Sequence, residues 1–140
     1  MTAAQVFSMA SVITLPMWIL MITAPNWKVT QFLMQKRVVP IGLSVAYSLY
    51  VIQELFSSGM MDFGTLSSVM KIFTKESAVL AGWLHYLAFD LLIGIWMLEQ
   101  NKNIQISSLV MIPCLLGTFM FGPFGFLLFT IFKTIKTKKL

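Results

Sequence analysis

The chain has 140 residues, of which 58% are hydrophobic and 11% charged, and it carries a net charge of +5. Soluble domains average about 25% charged residues, so the composition excludes an ordinary soluble enzyme and predicts one membrane-embedded domain over residues 1–140. Much of the positive charge is Lys133, Lys136, Lys138 and Lys139 in a basic tail, 133–140. Directly after an apolar stretch, such a tail suits lipid headgroups rather than nucleic acid.

Charge-free runs cover Met1–Trp27, Val38–Gln53, Ser77–Phe89 and Asn103–Phe132. A span needs about 20 mostly apolar residues, and backbone groups in lipid must be satisfied internally. The runs therefore predict an all-α integral membrane bundle of four transmembrane helices over about 3–24, 38–56, 76–98 and 107–132. No Lys or Arg precedes Lys28, so the first run lacks the basic start of a signal peptide and reads as a retained helix. Pro25-Asn26 stops it, and Trp27 suits the interface. Pro40 falls in the first turn of the second span, where a missing N–H does no harm.

Between the second and third spans, residues 62–75 place Phe63, Leu66, Met70 and Phe73 at helical spacing. That pattern predicts a short amphipathic helix in the interface. The fourth span carries Pro113, Gly117, Gly122, Pro123 and Gly125, and Pro123 should kink or split it. With four spans, Lys71, Lys75 and the four tail lysines share one side against Lys28, Lys36, Arg37 and Lys102. The positive-inside rule then puts both termini in the cytoplasm.

The third span carries the chemistry. It holds the only histidine, His85, and a carboxylate, Asp90, and an ionisable group costs roughly 3 kcal/mol at the centre of a span. At 100° per residue Trp83, Tyr86, Asp90 and Gly94 form one stripe. Ala78, Ala81, Gly82 and His85 form another, whose small residues should face a neighbour at close range. Five positions separate His85 from Asp90, so the two look toward different flanks unless a substrate lies between them. An antiparallel second span puts Tyr47 near the depth of His85, with Tyr50 and Glu54 closer to the surface. A neutral carboxyl can donate a proton and a neutral imidazole can accept one, a usable acid/base pair for a lipid substrate. Interhelical hydrogen bonding would use the same residues. One histidine and one cysteine, Cys114, predict no metal site and no bound cofactor.

The segments Leu15-Pro16, Ala24-Pro25-Asn26-Trp27, Val69-Met70-Lys71-Ile72-Phe73, the run Gly82 to Leu91 with Gly94 and Trp96, Pro113-Cys114-Leu115, and the run Gly122 to Leu128 follow one another along the chain. Together they resemble the abscisic-acid-deficient-four family, small four-helix membrane proteins of plastids and many bacteria, and the chain looks like a bacterial member. The resemblance implies a role like that of the plant member, which is required to make neoxanthin from violaxanthin. That step opens an epoxide and leaves an allene without net redox change. It asks for an acid at the epoxide oxygen and a base at a ring-adjacent C–H, which the resemblance assigns to Asp90 and His85. Trp83, Tyr86, Tyr47, Tyr50 and Glu54 are the substrate-binding candidates. Two functions stay open: an isomerase-type enzyme acting on a carotenoid or prenyl lipid, and a non-catalytic component that binds pigment or lipid or supports a partner enzyme. Either could work as an oligomer.

Overall fold

The computed structural model describes residues 1–139. Among these the chain is all helical: α1 Ala3–Thr23, α2 Lys28–Lys36, α3 Val38–Ser58, α4 Leu66–Ile72, α5 Glu76–Ile104, α6 Ser108–Phe121 and α7 Pro123–Thr137. Thr2 caps α1 through a reciprocal pair with Gln5. Arg37, with φ +48°, separates α2 from α3. Pro40 lies in the first turn of α3, as expected. A short helix, α4, lies within the 62–75 segment expected to be interfacial and is shorter than it. It is opened by the Thr65 hydroxyl, which accepts from the Ser68 amide.

The 29-residue α5 forms the axis. Leu84, Leu91, Ile95 and Met97 on it are fully buried, and α1 and α3 flank it. α1 runs parallel to α5, with Phe7 beside Trp83 at 5.5 Å and Trp18 lying on Gly94 further along. α3 runs antiparallel: Arg37 pairs with Glu99 at 3.6 Å, Tyr47 meets His85, and Glu54 pairs with Lys75. These three stretches, Ala3–Thr23, Lys28–Ser58 and Glu76–Ile104, are long and apolar enough to cross a membrane.

The expected fourth span, 107–132, is not one helix. It breaks at Gly122, where φ is +43°, and Pro123 opens α7. The chain then doubles back. Thr118 of α6 reaches the Met97 sulfur at 3.4 Å, and Phe129 of α7 meets the neighbouring Trp96 ring at 5.6 Å. At the far end of α7, Lys136 donates to the Gln105 carbonyl just before α6. α6 is about 21 Å long at 1.5 Å per residue, short of a hydrocarbon core of about 30 Å. The two helices thus form a re-entrant hairpin whose tip stops beside the middle of α5. The cause is local. Gly122 takes a backbone conformation that side chains disfavour, and Gly125 has no side chain, so α7 can lie directly on Cys114 and Thr118.

Two expectations change with it. The bundle has three stretches long and apolar enough to cross a membrane and a helical hairpin, rather than four spans. The N-terminus and the end of α7 lie at opposite ends of the bundle, whereas the four-span reading put both termini on one side.

Candidate functional site

The 100° rotation per residue along α5 divides the candidate residues between two flanks. On one, α3 and α5 diverge enough to leave a groove of about 300 Å³, lined by Tyr47, Tyr50, Glu54 and His85. Its base is made of Ala78, Ala81 and Gly82. Gly82 makes room for Phe73, the residue that ends α4: a Cβ on Gly82 would sit 2.8 Å from the Phe73 ring. The small-residue stripe therefore does face a close neighbour, but the residue at the end of α4 supplies it. Ile72, Phe73, Met61 and Phe63 complete the groove on that side.

Inside the groove the imidazole of His85 stacks on Phe89 with ring centres 4.7 Å apart. Tyr47 meets it edge-on at 5.5 Å. Aromatic contacts on two sides fix the plane of the ring, while the side chain stays exposed towards the groove. Glu54 sits at the mouth and is already engaged. It pairs with Lys75 and accepts from Ser58 at 2.8 Å and Ser77 at 3.3 Å. Those contacts tie α3 to the start of α5 and set the width of the entrance.

Asp90 lies on the other flank. Its side chain is 7% exposed, and its Oδ2 atom is buried without a hydrogen-bond partner. The tip of the re-entrant hairpin presses on it: a Cβ on Gly122 would collide with the carboxylate. One turn earlier, the Tyr86 hydroxyl donates to the Met120 carbonyl at 3.2 Å, fastening α6 to α5. Trp83 stacks on Tyr86 at 5.9 Å and also meets Phe7.

Of the seven expected site residues, His85, Tyr47, Tyr50 and Glu54 share one space. Asp90, Tyr86 and Trp83 lie on the opposite flank of α5. The structure offers no direct His85–Asp90 dyad, in keeping with their angular separation in the sequence. Among the other tryptophans, Trp18 is core against Gly94, and Trp96 packs between Phe126 and Phe129. Sequence reasoning missed Phe73 as the cover of the groove, Lys75 as the partner of Glu54, and Gly122 as the neighbour of Asp90. Gly122-Pro123 was the signal for the last. The others depend on where α4 docks, which no local pattern encodes.

Residues 5–129 match the family described as ABA4-like, ABA DEFICIENT 4-like. The chain is similar to the protein named "Protein ABA DEFICIENT 4, chloroplastic" of Arabidopsis thaliana, at 28% identity over 114 residues, covering 76% of this chain and 51% of that protein. It thus spans about half the length of that relative. No solved structure matches the chain.

Proposed function

The chain belongs to the ABA4-like family, and from that premise we propose that it isomerises a carotenoid or related isoprenoid inside the bilayer by acid/base chemistry of the epoxide-opening kind. The groove beside His85 carries this reading. It sets an oriented imidazole and two phenols at one largely apolar cavity. A cavity of about 300 Å³ is at the small end for ligand sites. It suits the ring end of a long substrate whose polyene stays in lipid.

In the proposed step His85 removes the proton from the chain carbon attached to the ring. That C–H electron pair becomes the second double bond of an allene, and the adjacent epoxide C–O bond breaks. The oxygen, still bonded to the other epoxide carbon, takes a proton from a phenol of the groove, Tyr47 or Tyr50, and stays on the ring as an alcohol. The proton on His85 returns to that phenol through solvent or directly, so the reaction is an isomerisation with no redox partner. A general base must lie within reach of the proton it takes, and the imidazole, held between Phe89 and Tyr47, faces the groove where the ring end would sit. Glu54, held by Lys75, closes the mouth. Asp90, remote from the groove, holds the hairpin in this scheme rather than donating the proton.

The separation of His85 from Asp90 favours a second reading, in which the groove binds a pigment or lipid without converting it. Expression in cells that accumulate an epoxidised carotenoid distinguishes them. The isomerase reading expects a product of unchanged mass with an altered absorption spectrum, absent from empty-vector cells. Unaltered pigment that co-purifies with the protein would leave only the binding role.

A further inference from the structure

A second cavity, of about 270 Å³, lies at the other end of the bundle, where α1 passes to α2 and α5 to α6. Its wall changes character with depth. Asn26, Gln31 and Lys102 come from the helix ends, whereas Met21, Met111 and Leu115 come from within the helices and are almost fully buried. The cavity is polar towards the interface and apolar inside.

Its charge is uncompensated. Lys102 donates to the neutral Gln31 side chain at 2.8 Å. Glu99, the one carboxylate at this end among the described residues, already pairs with Arg37. A second ammonium group stands alongside, because Lys136 reaches the carbonyl of Gln105, itself part of the cavity wall. A cationic rim over an apolar interior at the depth of the headgroups is complementary to an amphiphile with a negative head and an apolar tail.

We propose that this cavity binds a phosphate-headed amphiphile of the bilayer, with the phosphate at Lys102 and the tail between α1 and α6. A phospholipid and a prenyl phosphate share that chemistry. The site is separate from the His85 groove and stands whether or not the protein is an isomerase.

The test is a thermal melt of the purified full chain in uncharged detergent, with phosphatidylglycerol, farnesyl diphosphate or inorganic phosphate added. Stabilisation by either amphiphile, and not by inorganic phosphate, is expected. Lys102→Gln should weaken the apparent affinity roughly tenfold, the effect of one charge-assisted contact, and Lys102→Arg should restore it. Ile112→Trp, which fills the inner wall, should abolish the response while leaving the rim intact, and it serves if Lys102→Gln does not fold. Response to phosphatidylglycerol alone identifies a lipid site, and response to farnesyl diphosphate alone identifies a prenyl site. No shift with either amphiphile, an equal shift with inorganic phosphate, or an undiminished response in both Lys102→Gln and Ile112→Trp overturns the proposal.

Discussion

At Gly122 two constraints coincide. The φ of +43° disfavours any side chain, and the space a Cβ would need is filled by the Asp90 carboxylate. Gly122→Ala should therefore cost about 1–3 kcal/mol, the usual range for a strained backbone, seen as a lower melting temperature in detergent. An unchanged melt would mean that the hairpin tip does not sit on Asp90. Asp90 itself should tolerate Asn. The shape is kept, and hydrogen bonds between membrane helices average only about 0.6 kcal/mol, so Asp90→Asn should fold and retain pigment conversion. A folded variant without conversion would move the acid role from the groove phenols to Asp90. That His85 and Asp90 face different flanks was legible from their spacing alone, since five residues on a helix turn through about 140°. Which neighbours each would meet was not, because that depends on the course of the chain after Gly122.

The hairpin of α6 and α7 is the element that hydropathy misread. Asn103–Phe132 is long and apolar enough for a span, and nothing in its mean hydropathy distinguishes one crossing from an entry and a return. The deciding residues are few. Gly122 turns the chain, Pro123 starts the new helix, and Gly125 lets it lie against Cys114. The spans at either side of α3, its Pro40 start and the α4 segment were legible because each rests on composition or capping within a few residues. A cross-link settles the hairpin. With Cys114 replaced by Ala, Gln105→Cys and Lys136→Cys should join through a short thiol-reactive linker. In a continuous helix these positions would be about 46 Å apart and could not be joined. The short α4 gives a pH expectation. Asp62 accepts from the Ser68 hydroxyl at 2.6 Å and the Gly64 amide at 2.8 Å, and these hydrogen bonds hold its carboxyl below the ordinary value of 3.8. A depressed folded-state pKa favours the ionised, folded form above the unfolded pKa and loses that support as pH falls through the folded value. Amide exchange in α4 should accordingly accelerate, relative to α5, only in strong acid. Acceleration already at neutral pH would assign its anchoring elsewhere.

With three stretches able to cross and a hairpin the charge balance across the bundle becomes one-sided. Lys28, Lys36, Arg37, Lys102 and the four tail lysines gather at one end, against Lys71 and Lys75 at the other. By the positive-inside rule we expect the α7 end on the cytoplasmic side and the N-terminus on the other. Reporter fusions at the two termini should report opposite sides, and reports from the same side would restore a four-span topology. In this arrangement the His85 groove opens towards the less basic end, covered by α4. The proposed amphiphile cavity lies at the opposite, more basic end, so a lipid there would not compete with a substrate in the groove. The most direct measurement of the central claim is pigment conversion by His85→Gln, with folding monitored by thermal melt. Gln keeps a polar side chain of similar reach but cannot take up a proton at neutral pH. The account expects a variant that melts like the unaltered chain, still co-purifies with the substrate and converts none of it. Full conversion by folded His85→Gln would contradict it.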